Sequence, residues 1–232
     1  MDLLNSSLYF GAILSLAAYG IGVSLKKKLK HPICNPLLIA ILLTIGVLVG
    51  LDIDYNTYNA SAKYISYLLT PATICLAIPL YEQIHLLKSN WKAIILGITS
   101  GVITSLSTIF IFAVVFGLNH AEYATFLPKS ITTAIGMGVS EELGGYPSIT
   151  ATIIIITGVL GNIMAESILK LFKITHPIAK GIALGTSSHA IGTAKAMELG
   201  EIEGAMSSLS IVVAGIITVL FASGFAELFQ NL

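Results

Sequence analysis

The chain has 232 residues and no formal net charge, and 55% of its residues are hydrophobic while only 10% are charged. Soluble domains carry about 25% charged residues, so this composition excludes a soluble domain and predicts an all-α membrane protein with several spans. The balanced charge gives no indication of nucleic-acid binding. The two cysteines, Cys34 and Cys75, fit neither a disulfide framework nor a metal-ligand spacing, and we expect no metal and no cofactor.

Six apolar segments approach the ~20 residues that a helix needs to cross a bilayer. In chain order they are Ser6–Leu25, Pro36–Leu51, Tyr64–Tyr81, Ala93–Leu118, Ser148–Leu169 and Gly204–Phe225. The first segment lacks the basic start of a signal peptide, so we expect it to remain in the protein. We assign four transmembrane helices to residues 1–120 and a separate core to residues 121–232.

The lysines indicate an orientation. All twelve basic residues are lysines, and ten of them follow the first, third and fifth predicted spans, while Lys63 and Lys129 fall on the other side. Cytoplasmic connections carry the excess of basic residues in membrane proteins. The pattern therefore predicts a multi-pass protein with its N-terminus outside the cell.

A polar, glycine-containing phrase occurs twice, 56 residues apart. At this offset six of the eleven positions from Ala134 to Gly144 are identical. Interrupted hydrophobic segments in corresponding places of two repeats are typical of transporter binding sites. We predict re-entrant or broken-helix segments near 128–147 and 178–200, in inverted repeats, and the alternative is eight full spans with the same breaks. The residues predicted to break the helices are Pro128, Gly136, Gly138 and Gly192.

The first phrase contains the elements of an anion site. Lys129 offers one cation, and Ser130, Thr132 and Thr133 offer hydroxyl donors directly after Pro128. Backbone N–H groups at a helix start favour anions, so we predict a substrate site here. The residues predicted from the second phrase are Ser187, Ser188, His189 and Thr193. The alternative is that Lys129 snorkels to the headgroups and the hydroxyls bond to helix carbonyls.

Four residues are candidates for proton coupling. His189 titrates near neutral pH, and Glu141, Glu142 and Glu166 are ionisable groups in or beside apolar segments, where such groups are usually functional. The alternatives are that Glu141 and Glu142 simply end their segment in water and that Glu166 forms an i,i+4 ion pair with Lys170. No motif of a hydrolase, zinc protease or P-loop enzyme is present, so we do not expect an enzyme.

Four strings in the second half resemble the LrgB/CidB family. They are Leu127–Thr133, Ser140–Gly145, Thr157–Gly161 and Ala179–Ala196. The resemblance implies a bacterial inner-membrane protein that works with a small holin-like LrgA/CidA-type partner. It also implies a connection with murein hydrolase activity and lysis, and with relatives that move pyruvate, glycolate or glycerate.

Together these observations predict a proton-coupled transporter for small monocarboxylates such as pyruvate or glycolate. The alternative is an antiholin-like regulator of murein hydrolases and cell lysis that transports nothing itself. That alternative expects interfaces between copies or with the partner, for which the small residues Gly158, Gly161 and Ala165 are suitable.

Overall fold

The computed structural model describes residues 9–29, 31 and 34–230. In these residues all regular structure is α-helical, and the chain divides into two compact units, 1–75 and 76–232. The first unit contains α1 (Phe10–Leu29), α2 (Pro36–Gly50), α3 (Tyr55–Ser66) and α4 (Leu69–Cys75). The second contains α5 (Ala77–Glu82), α6 (Ile84–Phe116), α7 (His120–Phe126), α8 (Thr133–Glu142), α9 (Pro147–Leu171), α10 (Pro177–Leu199) and α11 (Glu201–Gln230).

The all-α membrane architecture is confirmed. In the described part of the chain, four helical stretches are long and apolar enough to cross a membrane, and α2 is a shorter apolar helix. The four stretches are 55–82, α6, α9 and α11. The start of the first predicted span, residues 6–8, lies outside the described residues.

The third predicted span, Tyr64–Tyr81, is a series of short helices rather than one. Pro71 and Pro79 each stand at the third residue of a helix, α4 and α5 respectively. Proline lacks an N–H and is tolerated in the first turn of a helix but not in its interior. The two prolines therefore account for the interruptions that a hydropathy profile does not detect.

In the first unit, α1 packs against α3 through small and hydroxyl side chains. The N–H of Gly11 donates to the Ser61 hydroxyl (2.7 Å), and the hydroxyls of Ser15 and Tyr58 lie 2.8 Å apart. The Asn35 side chain caps α2 by accepting hydrogen bonds from the backbone of Leu37 and Leu38. A capped helix start of this kind satisfies donors that would otherwise have no partner.

The second unit is built around one apolar stripe of α6. Its buried members recur at helical spacing, and they pack with side chains of α7 and α11 in a single core. The stripe consists of Ile94, Ile98, Val102, Leu106, Ile109 and Ala113. Because this stripe needs the core to cover it, α6 packs within the second unit, and the contacts divide the chain at residues 75/76. The boundary at 120/121, which was drawn from the start of the repeats, stays a prediction.

The repeat seen in the sequence has a structural counterpart. In the first copy, the irregular stretch Leu127–Thr132 separates α7 from α8. In the second copy, α10 is interrupted at His189, whose backbone (φ 43°, ψ −135°) is not helical. Because Thr133, the first residue of α8, is the counterpart of His189 at the offset of 56 residues, the second interruption falls directly after the equivalent of the first. A long helix, α9 or α11, follows each of them.

Three of the four predicted helix-breaking residues are not at the breaks. Pro128 lies in the first break, but Gly136 and Gly138 lie inside α8 and Gly192 lies in the second half of α10. Gly136 and Gly192 are needed for close packing, because a Cβ there would collide with the Ile154 side chain and with the Leu184 carbonyl, respectively. Nothing in the structure accounts for a glycine at position 138.

Candidate functional site

A groove of about 760 Å³ lies between α6, the first break and the first half of α10. Its lining extends along α6 from Asn90 to Thr108, which is about 27 Å at 1.5 Å per residue. Hydroxyl and amide side chains occur along a largely apolar wall, and one lysine and one histidine are the ionisable groups. The polar lining residues are Asn90, Thr104, Ser105, Thr108, Lys129, Ser130, His176, Thr186 and Ser187.

The first break places Lys129 and Ser130 in this groove. Asn119 and Glu122 form a capping box that starts α7, and Pro128, which has no N–H to continue the helical hydrogen bonding, follows its end. The Lys129 ammonium donates to the Ser130 hydroxyl at 3.0 Å, and the Ser130 and Ser105 hydroxyls lie 3.1 Å apart. The result is a short chain of polar groups that connects the lysine to the wall formed by α6.

Among the described residues, Lys129 differs from the partly buried Lys180 and Lys195 in having no ion-pair partner. The ion pairs among the described residues that involve α9, α10 and α11 engage Lys170, Lys180 and Lys195, and none of them engages Lys129. A cation that is removed from water without a carboxylate partner is unfavourable, and an anionic ligand would compensate it. The groove therefore has the charge and the hydrogen-bond donors of an anion-binding site.

The second break is held by its neighbours in a strained backbone conformation. The positive φ of His189 costs on the order of 1–3 kcal/mol and persists only where the surroundings enforce it. The ring Nε2 donates to the Ile154 carbonyl of α9 at 2.9 Å, and the Thr193 hydroxyl donates to the His189 carbonyl at 3.0 Å. The Asn162 amide of α9 donates to the Ile191 carbonyl at 3.0 Å. The second break is thus anchored to α9.

Small residues of α9 allow it to pack closely on this break. They are the residues that were considered above for contacts between copies or with the partner. A Cβ at Gly158 would lie 2.7 Å from the His189 ring, and one at Gly161 would collide with the Ser188 side chain. Ala165 is also buried within the chain. These three residues therefore serve packing inside the protein and give no support to the intermolecular interface for which the alternative interpretation considered them.

Thr186 has the properties of a ligand-binding residue that the sequence analysis did not select. Its hydroxyl is buried and has no hydrogen-bond partner in the described part of the chain. Thr186 and Ser130 are equivalent in the repeat, 56 residues apart, and both also line a separate cavity of about 10 Å³ with Ser105 and Thr218. A cavity of that size holds one water molecule. The repeat pairing of Ser130 with Thr186 is the signal that identifies it.

The predicted site residues divide into two groups. Lys129, Ser130 and Ser187 line the groove. The others do not line it in the described structure: Thr132 and Thr133 begin α8, while Ser188, His189 and Thr193 are buried at the second break. The α6 hydroxyls were missed, although Gly97, Gly101, Thr104, Ser105 and Thr108 recur at helical spacing within an apolar span, a pattern that marks one polar face.

The three glutamates considered for proton coupling do not line the groove. Glu141 and Glu142 are exposed at the end of α8. Glu166 pairs with Lys170 (3.6 Å), as its alternative interpretation predicted, and also with Lys195 (2.8 Å), which was not predicted. The described residues contain no group of three or more His, Cys, Asp or Glu side chains that could hold a metal ion.

Glu166→Gln should lower the free energy of unfolding by less than ~1 kcal/mol, because half-exposed ion pairs contribute about that amount or less. Thermal unfolding in detergent would measure it, with Glu198→Gln, which removes another partner of Lys195, as the matched control. A loss of several kcal/mol would contradict a peripheral ion pair. Reduced proton-driven uptake at unchanged stability would instead support a coupling role for Glu166.

Comparison with known proteins identifies the family. A model described as "LrgB-like family" matches residues 15–228. Curated relatives named "Antiholin-like protein LrgB", from Bacillus cereus (strain B4264) and Bacillus anthracis (strain A0248), are each 43% identical over 213 residues. These alignments cover 91% of this chain and 93% of each relative. No solved structure matches the chain significantly. With most of its length matched by both comparisons, the chain belongs to the LrgB-like family.

Proposed function

We propose that this chain is an antiholin-like membrane protein that acts by moving small monocarboxylates through the groove between α6, the first break and α10. The observation that carries the transport part of the proposal is the Lys129 ammonium, which lines the groove without an ion-pair partner among the described residues. One cation suits one carboxylate, and the neighbouring hydroxyls suit the keto or hydroxyl oxygen of pyruvate, glycolate or a similar acid.

The two interrupted helices give transport further support. Ser130 from the first break and Thr186 and Ser187 from the segment before the second break line the same groove. Irregular backbone at membrane depth is tolerated where protein buries it or where it lines a water-filled cavity, and discontinuous helices of this kind form the substrate sites of many transporters. Under the predicted orientation, the groove runs from the cytoplasmic end of α6 towards the breaks.

A second candidate function is regulation of murein hydrolases and lysis without transport. The names of the relatives support this candidate more directly than they support transport, because "antiholin-like" refers to lysis and not to a substrate. The two candidates differ in what they require of the groove. A carrier of metabolic acids would influence lysis through the proton motive force, whereas a regulator without transport has no use for an anion site.

Complementation of a deletion strain separates these candidates. Lys129→Met, which removes the charge and keeps the length of the side chain, should abolish the effect on lysis if that effect depends on transport. Lys88→Met, on the exposed start of α6, is the matched control and should complement fully. Full complementation by Lys129→Met, at normal expression, would favour regulation without transport.

The orientation and the partner are also proposals. With Cys34 and Cys75 replaced by serine, cysteines at Asn56 and Asn119 should react with a membrane-impermeant reagent from outside, and one at Ser89 only after permeabilisation. External labelling at Ser89 would overturn the orientation. Labelling within 172–176 decides the span number, since six spans put this segment inside and eight put it outside.

We propose a small LrgA/CidA-type membrane protein as the partner, on the basis of the family resemblance, and location in the bacterial inner membrane. A homo-oligomer is the alternative assembly. Co-purification of the two proteins in mild detergent tests the first arrangement, and the mass of the purified chain in nanodiscs tests the second.

A further inference from the structure

From the surroundings of Lys129 we infer that this residue binds the coupling proton, so that proton and carboxylate occupy the groove together. The inference rests on the proposed transport function and assigns a step to it. A carboxylate that enters the groove stabilises the protonated form, which has no counter-ion in the described part of the empty site, so the amine takes up a proton with the anion and forms an ammonium–carboxylate pair. The pair separates, and both the proton and the anion leave, when the site opens to the other side.

Because no carboxylate pairs with Lys129 in the described residues, its protonation depends on the ligand. The wall contributed by α6 is apolar or carries hydroxyls and an amide, and α10 contributes His176 as the second ionisable residue of the groove. The acidic residues of α8, Glu141 and Glu142, lie at the opposite end of that helix from the break. No carboxylate of the described chain pairs with Lys129, so a bound anion is the counter-ion that would stabilise the ammonium.

The hydrogen-bond chain from Lys129 suits both protonation states. The ammonium donates to Ser130, which lies within hydrogen-bond distance of Ser105. A hydroxyl both donates and accepts, so the Ser130 hydroxyl can rotate and donate to a neutral amine, while the Ser105 hydroxyl donates to Ser130 instead. The change of protonation therefore needs no rearrangement of the backbone, and the remaining N–H groups of the ammonium are available to the carboxylate.

The other candidates for the coupling group are less suitable in the structure. The His189 ring is buried at the second break and bonded to the Ile154 carbonyl, away from the groove. A carbonyl oxygen only accepts, so Nε2 must keep its proton in both charge states of the ring. Glu166 already has lysine partners, and Glu141 and Glu142 are exposed. Of these five residues, Lys129 alone combines a position in the groove with the absence of a counter-ion in the described structure, and the other ionisable residue of the groove, His176, is tested separately below.

Two consequences follow from proton uptake with the anion. The loaded site holds one more proton and one more negative charge than the empty site, so its charge is unchanged and transport should be electroneutral. The loaded state binds more protons than the empty state, so affinity for the carboxylate should fall as pH rises. A pH gradient should drive accumulation, and a membrane potential at equal pH on both sides should not.

Calorimetric titration of the purified full-length chain with pyruvate, in buffers of different ionisation enthalpy, measures the protons taken up on binding. Uptake of up to one proton per bound pyruvate is expected for the wild type and for the control Lys88→Met, which changes an exposed lysine outside the groove; His176→Gln and His189→Gln test whether a histidine takes up the proton instead. Lys129→Arg, which stays charged at all working pH values, should bind pyruvate without proton uptake and with an affinity that does not depend on pH.

Binding by the wild type with no proton uptake, or equal uptake by Lys129→Arg, would overturn the inference and leave the transport proposal intact. Loss of uptake in His176→Gln or His189→Gln, with binding retained, would likewise overturn it by assigning the proton to that histidine. If Lys129→Arg does not fold, proton uptake by the double variant His176→Gln/His189→Gln decides: retained uptake supports Lys129, and lost uptake overturns the inference. Failure of pyruvate, glycolate and lactate to bind the folded wild type would contradict the proposed function itself.

Discussion

Lys129→Met should weaken binding of pyruvate to the purified protein by roughly ten- to a hundredfold. A hydrogen bond to a charged group contributes about 1.5–3 kcal/mol, and each 1.4 kcal/mol corresponds to about a tenfold change in affinity. The ammonium lies in the groove, bonded to Ser130, so its loss removes the charge that the carboxylate would contact. Isothermal titration with the detergent-solubilised chain measures the effect.

Two further variants serve as comparisons for Lys129→Met. Ser130→Ala removes a neutral hydroxyl and should cost less affinity, because an ordinary hydrogen bond contributes about 0.5–1.5 kcal/mol. Lys88→Met removes a lysine that is exposed at the start of α6 and should bind pyruvate as the wild type does. Wild-type affinity in a correctly folded Lys129→Met protein would remove this lysine from the site.

Gly185→Leu should severely destabilise the second unit. Gly181 and Gly185 stand four residues apart on α10 and let its backbone approach α11, in the small-residue pattern that is common between membrane helices. A Cβ at Gly185 would collide with the Ser207 carbonyl and lie 2.8 Å from the Ser210 Cβ. Even smaller overpacking typically costs about 1–3 kcal/mol, and a leucine adds three more carbons that need space between the two helices.

The matched control for this substitution is Gly224→Leu on α11, since no heavy atom lies within 4 Å of a Cβ built at that position. Thermal unfolding and monodispersity in detergent compare the two variants. We expect a large loss of folded protein for Gly185→Leu and little change for Gly224→Leu. Equal stability of the two would show that α10 and α11 are not packed as described.

Gly185 also shows how the two repeats differ. At the offset of 56 residues it is the counterpart of Lys129, yet one position carries the cation of the groove and the other a glycine for helix packing. The neighbouring pair, Ser130 and Thr186, kept hydroxyls in both copies, and both line the groove. Both copies of the repeat therefore contribute a hydroxyl to the groove, whereas only the first copy contributes a charge.

The sequence predicted the apolar helices well where their ends carry clear signals. Pro36 and Pro147 stand at the first positions of α2 and α9, and the predicted spans begin within one residue of them. The start of α6 was placed nine residues too late, at Ala93 instead of Ile84, because the polar residues Lys88, Asn90 and Lys92 lower the hydropathy without interrupting the helix. Hydropathy detects burial in lipid, whereas the helix also continues into the polar interface.

The candidate site was predictable in part for a physical reason. A lysine and hydroxyls beside a proline can be recognised from the order of residues in the sequence, and two of these residues, Lys129 and Ser130, do line the groove. The positions of Ser188 and His189 depend on how α9 packs onto the second break through Gly158 and Gly161, and these are contacts between elements that sequence spacing does not specify. His189 was correctly placed at an interruption, but the direction of its ring is a property of the tertiary structure.

In the proposed function, the Lys129 groove carries small carboxylates across the membrane. Uptake of labelled pyruvate into proteoliposomes with an inward proton gradient, with and without an LrgA-type partner, tests it most directly. We expect saturable uptake by the wild type that Lys129→Met abolishes and Lys88→Met leaves unchanged. Absence of wild-type uptake of pyruvate, glycolate and lactate under both conditions, or unchanged uptake by Lys129→Met, would contradict it.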